Sequence, residues 1–153
     1  GACTRCEGTE GIIYSNNQDG TYSVNSLDSS CTAKHIVIPA KYDGKPVTTI
    51  DSCAFLNSSI ESITFKGTIT EIGSSAFQWC NSLESISLSS CSLTIINEQT
   101  FYECENLETI ELPNSIVTIG KSAFNGSTKI KYINITIRIT GKWWRQSLVF
   151  SFC

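Results

Sequence analysis

The stretch Ile96-Asn97-Glu98-Gln99-Thr100-Phe101-Tyr102-Glu103-Cys104-Glu105-Asn106-Leu107-Glu108-Thr109-Ile110-Glu111-Leu112-Pro113-Asn114-Ser115-Ile116-Val117-Thr118-Ile119 decides the fold. Its apolar frame precedes it as Ile72, Ala76, Phe77, Cys80, Leu83, Ile86 and Leu88. It follows as Ile119, Ala123, Phe124, Ile130, Ile133 and Ile135. An earlier copy, Ile50, Ala54, Phe55, Ile60, Ile63 and Phe65, lacks one residue after its Phe. Phe55, Phe77, Phe101 and Phe124 are spaced by 22, 24 and 23 residues, and a fixed period of this size specifies a stack of coils.

Within each coil the pairs Ile63-x-Phe65, Ile86-x-Leu88, Ile110-x-Leu112 and Ile133-x-Ile135 have period two, which turns both named side chains to one face of a strand. Short parallel strands stacked coil on coil are expected. A second spacing, Val47-x-x-Ile50, Ile69-x-x-Ile72, Leu93-x-x-Ile96 and Ile116-x-x-Ile119, marks the return path on the opposite side. The segment from Phe to Leu has room for no more than a turn or two of helix, so the returns are short helical or irregular segments. The four Phe side chains form an internal spine, because one coil alone cannot bury its apolar edge.

Upstream, Ile12-Ile13-Tyr14 and Tyr22-Ser23-Val24 flank Asn16-Asn17-Gln18-Asp19-Gly20, whose residues tolerate positive φ, and the segment reads as a hairpin. His35-Ile36-Val37-Ile38-Pro39 supplies the first strand of the repeat type. A tight turn at Tyr42-Asp43-Gly44-Lys45-Pro46 lengthens that coil without breaking its frame. The expected organisation is a Cys-containing cap and hairpin over 1–33, about five coils over 34–136, and a C-terminal cap or truncated segment over 137–153.

The pattern Ile-x-x-x-Ala-Phe-x-x-Cys-x-x-Leu-x-x-Ile-x-Leu-Pro, nearly whole in 72–88 and 96–113, resembles the BspA-type leucine-rich repeat. Ile36-Val37-Ile38-Pro39, Tyr42, Gly44 and Pro46-Val47-Thr48-x-Ile50 resemble that family's first coil. Departures are Ser58 and Ser127 at the Cys position and Thr100 for Ala. The resemblance implies an α/β, right-handed leucine-rich-repeat solenoid, often on the surface of anaerobic protists and bacteria and associated with adhesion to host cells or matrix proteins.

Composition narrows the function classes. At 153 residues, 41% hydrophobic and 16% charged, the chain is an ordinary folded domain rather than a disordered one. A net charge of -3 offers no concentrated basic face, which argues against nucleic acid as a partner. The chain opens with Gly1 and contains no Met, as in a processed or excised chain, and membrane association would come through segments missing from it. Three sequons, Asn57-Ser58-Ser59, Asn125-Gly126-Ser127 and Asn134-Ile135-Thr136, suit a secreted or surface protein.

Enzyme readings find little to build on. His35 is the one histidine, with no nucleophile and orienting carboxylate in its local frame. No phosphate-cradling glycine loop and no His-Glu-x-x-His occurs, and no cofactor is expected. Cys3-x-x-Cys6 is half of a zinc site or a redox pair at most, and pairing with Cys31 or with a missing upstream region is the plainer reading. Cys80 and Cys104 hold equivalent positions one coil apart and read as small buried apolar residues rather than a disulfide.

The expected binding face is the set of outward strand positions: Ser62, Thr64 and Lys66; Ser85, Ser87 and Ser89; Thr109 and Glu111; Tyr132, Asn134 and Thr136. A plain solvated sheet is the alternative, since Ser and Thr suit exposed strands. Glu61, Glu84 and Glu108 fall in register with Lys131 next, a column open to a cation or a basic partner, or simply a hydrated edge. Trp143, Trp144 and Arg145 in the tail are residue types enriched at interfaces, or parts of a cap. The favoured expectation is a non-catalytic protein-recognition module at the cell surface. An intracellular, cytoplasmic scaffold of the same fold, with reduced cysteines, is the alternative.

Overall fold

The computed structural model describes residues 8–139 and 142–148 and shows a strand-rich solenoid. Strands β1 (Ile12–Asn16) and β2 (Tyr22–Leu27) form the antiparallel hairpin that the Asn-Asp-Gly cluster specifies. The main sheet is built from β3 (His35–Ile38), β6 (Ser62–Phe65), β8 (Ser85–Ser87), β10 (Thr109–Glu111) and β12 (Tyr132–Ile139), neighbours in that order and parallel throughout. Antiparallel β13 (Lys142–Leu148) adds the last strand beside β12.

Register carries the period-two pattern directly into packing. Ile36, Ile63, Ile86, Ile110 and Ile133 stand opposite one another across successive strands, all buried. The alternation therefore places one isoleucine per coil in a continuous inner row, each worth about 1.5–3 kcal/mol when fully buried. Ile38, Leu88 and Leu112 fill the second inner row, while Phe65 in that row is only partly buried.

The return path runs through β5 (Lys45–Ile50), β7 (Glu71–Ile72), β9 (Ile95–Ile96) and β11 (Thr118–Ile119). β5 pairs with β7, and β9 with β11, both parallel. β5 also accepts β2 on one side, and pairs with short β4 (Lys41–Tyr42) across the Asp43-Gly44 turn. The hairpin thus joins the return side of the first coil. The edge of β3 is covered as well, since Thr9 N–H donates to Val37 O at 3.0 Å and Thr9 Oγ1 accepts from Val37 N–H at 2.7 Å.

The α/β expectation is corrected here: among the described residues there is no helix, and the irregular form of the return segment is the one present. The backbone gives the reason. Around each Phe, two residues four apart take positive φ: Cys53 and Asn57, Ser75 and Trp79, Gln99 and Glu103, Ser122 and Gly126. Left-handed residues at that spacing break any helical run and fold the corner into successive tight turns, such as Ala54 N–H to Asp51 O and Leu56 N–H to Cys53 O. The alternate N–H groups then point along the stack. Phe55 donates to Ala76 O, Phe77 to Thr100 O and Phe101 to Ala123 O, at 2.8–2.9 Å.

The Phe spine follows from that ladder. Phe55, Phe77, Phe101 and Phe124 stack with ring centroids 5.3, 5.3 and 5.4 Å apart and planes within 4° of parallel. Backbone spacing sets the ring spacing, and the parallel rings stand at a separation within the range that stacked aromatic pairs prefer.

Candidate functional site

The main sheet turns the residues that alternate with its buried isoleucines outward, and this face is where the expected binding residues stand. Thr64, Lys66, Ser85, Ser87, Ser89, Thr109 and Glu111 are exposed, and Ser62 is half-buried. His35, Ser62, Ser85 and Thr109 form one row across four strands, and His35 Nδ1 lies 2.8 Å from Ser62 Oγ. In the next row Ser87 stands opposite Glu111, and its hydroxyl donates to Glu111 Oε2 at 2.6 Å with Ser89 Oγ 2.9 Å away. The side chains of Tyr132, Asn134, Thr136, Trp143, Trp144 and Arg145 lie outside the described residues; their backbones fall on β12 and β13.

Beside this face runs the charged column. Lys34 Nζ meets Glu61 Oε1 at 2.6 Å, and Lys131 Nζ approaches Glu108 Oε2 at 3.6 Å. The Lys34 hydrogen bond, then its charge, holds the Glu61 carboxyl below its usual range. The column is therefore flanked by cations, with Glu84 between the two paired carboxylates. Lys34 escaped the sequence reading because the Tyr42–Pro46 turn stretches its coil, placing it 27 residues before Glu61. Glu84, Ser85, Asn106, Glu108, Thr109 and Lys129 line a shallow depression of about 280 Å³. Within it Lys129 Nζ donates to Asn106 Oδ1, and Asn106 Nδ2 to Asn81 O, each at 2.6 Å.

The cysteines resolve into distinct environments. Cys31, Cys53, Cys80, Cys91 and Cys104 carry free thiols; Cys3, Cys6 and Cys153 lie outside the described residues. Cys80 and Cys104 do not bridge. Cys80 Sγ donates to Phe55 O at 3.1 Å and Cys104 Sγ to Phe77 O at 3.0 Å, while Ser127 Oγ makes the same bond to Phe101 O at 2.6 Å. Burial pushes the Cys80 and Cys91 thiols up, and that of Cys104 up to about 12, so they are neutral packing groups. Among the described residues no group of three His, Cys, Asp or Glu side chains could hold a metal ion.

One surface was not legible in advance. On the return side Val117 is 80% exposed and Ile95 43%, both in positions that Thr or Glu occupy in neighbouring coils.

The BspA type Leucine rich repeat region matches residues 23–148 in six copies. This chain belongs to that family. Its members are typically non-catalytic, and leucine-rich repeat domains typically bind proteins. A leucine-rich repeat protein from Bacteroides capillosus is 26% identical, with 83% of this chain and 95% of that one covered at a TM-score of 0.65. The T. pallidum leucine-rich repeat protein is 19% identical over 80% of this chain and 68% of its own, TM-score 0.58, and shares the fold. A third, from Bacteroides ovatus, is 30% identical over 65% of this chain, TM-score 0.51, and this chain spans 24% of its length. Comparison with curated proteins gives no match.

Proposed function

We propose that this BspA-type repeat chain is a non-catalytic recognition module at the cell surface, binding a host-cell or matrix protein through the outer face of the main sheet. The observation that carries the reading is the row Thr64, Ser87 and Glu111, exposed hydroxyls and a carboxylate on strands whose inner side is locked by buried isoleucines. Such a face offers many hydrogen bonds over a broad area and no deep cleft, which suits a protein surface better than a small molecule. Residues 34–136 form the recognition array, with 1–33 and 137–153 as its ends. The coil is right-handed, the hand that parallel crossover connections take.

Cell adhesion to surfaces coated with the chain tests it. Replacing Thr64, Ser87 and Glu111 together with bulky residues weakens adhesion while leaving the unfolding midpoint in place. Unchanged adhesion by that folded variant removes this face.

The free thiols of Cys31 and Cys53, the first half-buried and the second exposed, favour a second reading, an intracellular scaffold. Counting thiols on protein isolated without reductant separates the two. Eight free thiols support the scaffold, and fewer support export.

A further inference from the structure

The corner that carries the Phe spine also carries two of the three sequons. Asn57 and Asn125 are both exposed there, on the turn segment rather than on the main sheet. Asn57 sits in a left-handed conformation, φ 54°, and its N–H donates to Gln78 O at 2.8 Å in the next coil. That bond sets Asn57 beside Trp79, which holds the equivalent corner position one coil on, also with positive φ. Trp79 is 44% exposed, and Leu56, next to Asn57, is 41% exposed. An indole and a leucine left half in water at a polar corner are an unexplained apolar surface beside a glycan acceptor sequence.

We propose that Asn57 bears an N-linked oligosaccharide whose innermost N-acetylhexosamine lies with its C–H face on the Trp79 ring. The reaction joins Asn57 Nδ2 to the anomeric carbon of a lipid-pyrophosphate-linked oligosaccharide. The sugar–phosphate bond breaks, the lipid pyrophosphate leaves with the bonding pair, and Nδ2 gives up one proton. A sequon needs its hydroxyl two residues on. Ser59 supplies it for Asn57 and is exposed in the folded chain, so this site is open before and after folding.

Asn125 differs in that one respect. Its hydroxyl residue, Ser127, is fully buried, donating to Phe101 O at 2.6 Å and accepting from Cys104 N–H at 3.0 Å. Asn125 is therefore an acceptor only until its coil closes. Asn134 lies within β12, flanked by β10 and β13, and has no part in the proposal.

The proposal rests on the exported reading, but its test does not depend on the natural location or on adhesion. The full chain is routed through the secretory pathway of insect cells, and occupancy is read by peptide mass mapping before and after glycosidase treatment. Asn57 is expected to be occupied, and an empty Asn57 in the secreted chain overturns the site. Folded, unglycosylated protein from a bacterial cytosol is then offered to an oligosaccharyltransferase with a lipid-linked donor. Modification of Asn57 but not Asn125 is expected, and modification of both overturns the order of events.

The Trp79 contact is tested by thermal midpoints. Glycosylated chain is compared with Ser59→Ala, which blocks the sequon, and the same pair made in bacteria corrects for the substitution itself. The glycan raises the midpoint with Trp79 present, and the rise is lost in Trp79→Ser and partly kept in Trp79→Phe. An equal rise with all three residues overturns the contact and leaves occupancy to the mass map.

Discussion

The thiol of Cys104 donates to the backbone carbonyl of Phe77 across 3.0 Å, tying the corner of one coil to that of the coil before it. Ser127 makes the equivalent bond with a hydroxyl, so the position is defined by a small buried donor and not by sulfur. Cys104→Ser should keep the bond and cost little. Cys104→Ala loses the bond and opens a small void, at about 1–3 kcal/mol. Urea unfolding of the two variants checks the difference, and equal costs would mean that the bond contributes nothing.

The same thiols set an alkaline limit to stability. The ordinary value for these thiols is 9.0, and burial raises Cys104 to about 12, with Cys80 and Cys91 also raised. Below pH 9 both folded and unfolded chains keep the protons, and the contribution is fully present. Above it the unfolded chain releases protons first, so stability falls as pH rises from about 9 toward 12. Unfolding midpoints of the native chain should drop across that window more steeply than those of Cys80→Ser/Cys104→Ser.

At the other end of the scale, Glu61 titrates low because Lys34 bonds it. Its contribution is present above the ordinary carboxyl value of 4.5 and is lost as pH falls through the lower folded value. Both partners are solvent-exposed, so the effect on stability is small. Carboxyl NMR titration of Lys34→Met should show Glu61 moving up toward 4.5, and no movement would remove the ion pair.

Phe77 sits between two parallel rings at 5.3 Å, whereas Phe124 has one described ring neighbour, Phe101 at 5.4 Å. Phe77→Ala should cost about 3–5 kcal/mol, the range for a large ring removed from a packed core. Phe124→Ala should cost less, since among the described residues only one face of its ring meets another ring. Equilibrium denaturation of the two variants ranks them.

What the sequence made legible is the part governed by side-chain type and period. Ile63, Ile86 and Ile110 announce the inner row, the four Phe residues announce the spine, and Val47-x-x-Ile50 announces the return strands. The corner was not legible, because its shape depends on left-handed φ at Cys53, Asn57, Ser75, Trp79, Gln99, Glu103 and Ser122, none of them glycine. Stacking and inter-coil hydrogen bonds impose most of those conformations after the coil forms, leaving Asn57 and Gly126 as the local cues. The outward face was legible only as a pattern of polar residues. The Ser87–Glu111 bond and the Lys34–Glu61 pair depend on which coils become neighbours.

Glycine marks the tightest approach between coils, and there a usual rule reverses. Gly73 and Gly120 occupy the position held by Asp51 and Asn97 in the alternate coils. Neither needs a positive φ, so Ala at such a site ordinarily stabilises by about 0.4–1 kcal/mol through the unfolded chain. A Cβ on Gly73, however, would lie 2.4 Å from Ser52 N, and one on Gly120 would lie 2.6 Å from Glu98 N. Both obstacles are backbone of the preceding coil and cannot swing aside as a side chain would. Gly73→Ala should therefore destabilise by about 1–3 kcal/mol, the cost of overpacking. Its effect should be to splay the coils at that corner, lowering the urea midpoint and speeding amide exchange at Gly73, whose N–H donates to Ile50 O at 2.8 Å. A variant as stable as the parent would show that the coils there can separate freely, and that the rigid inner row does not extend to this corner.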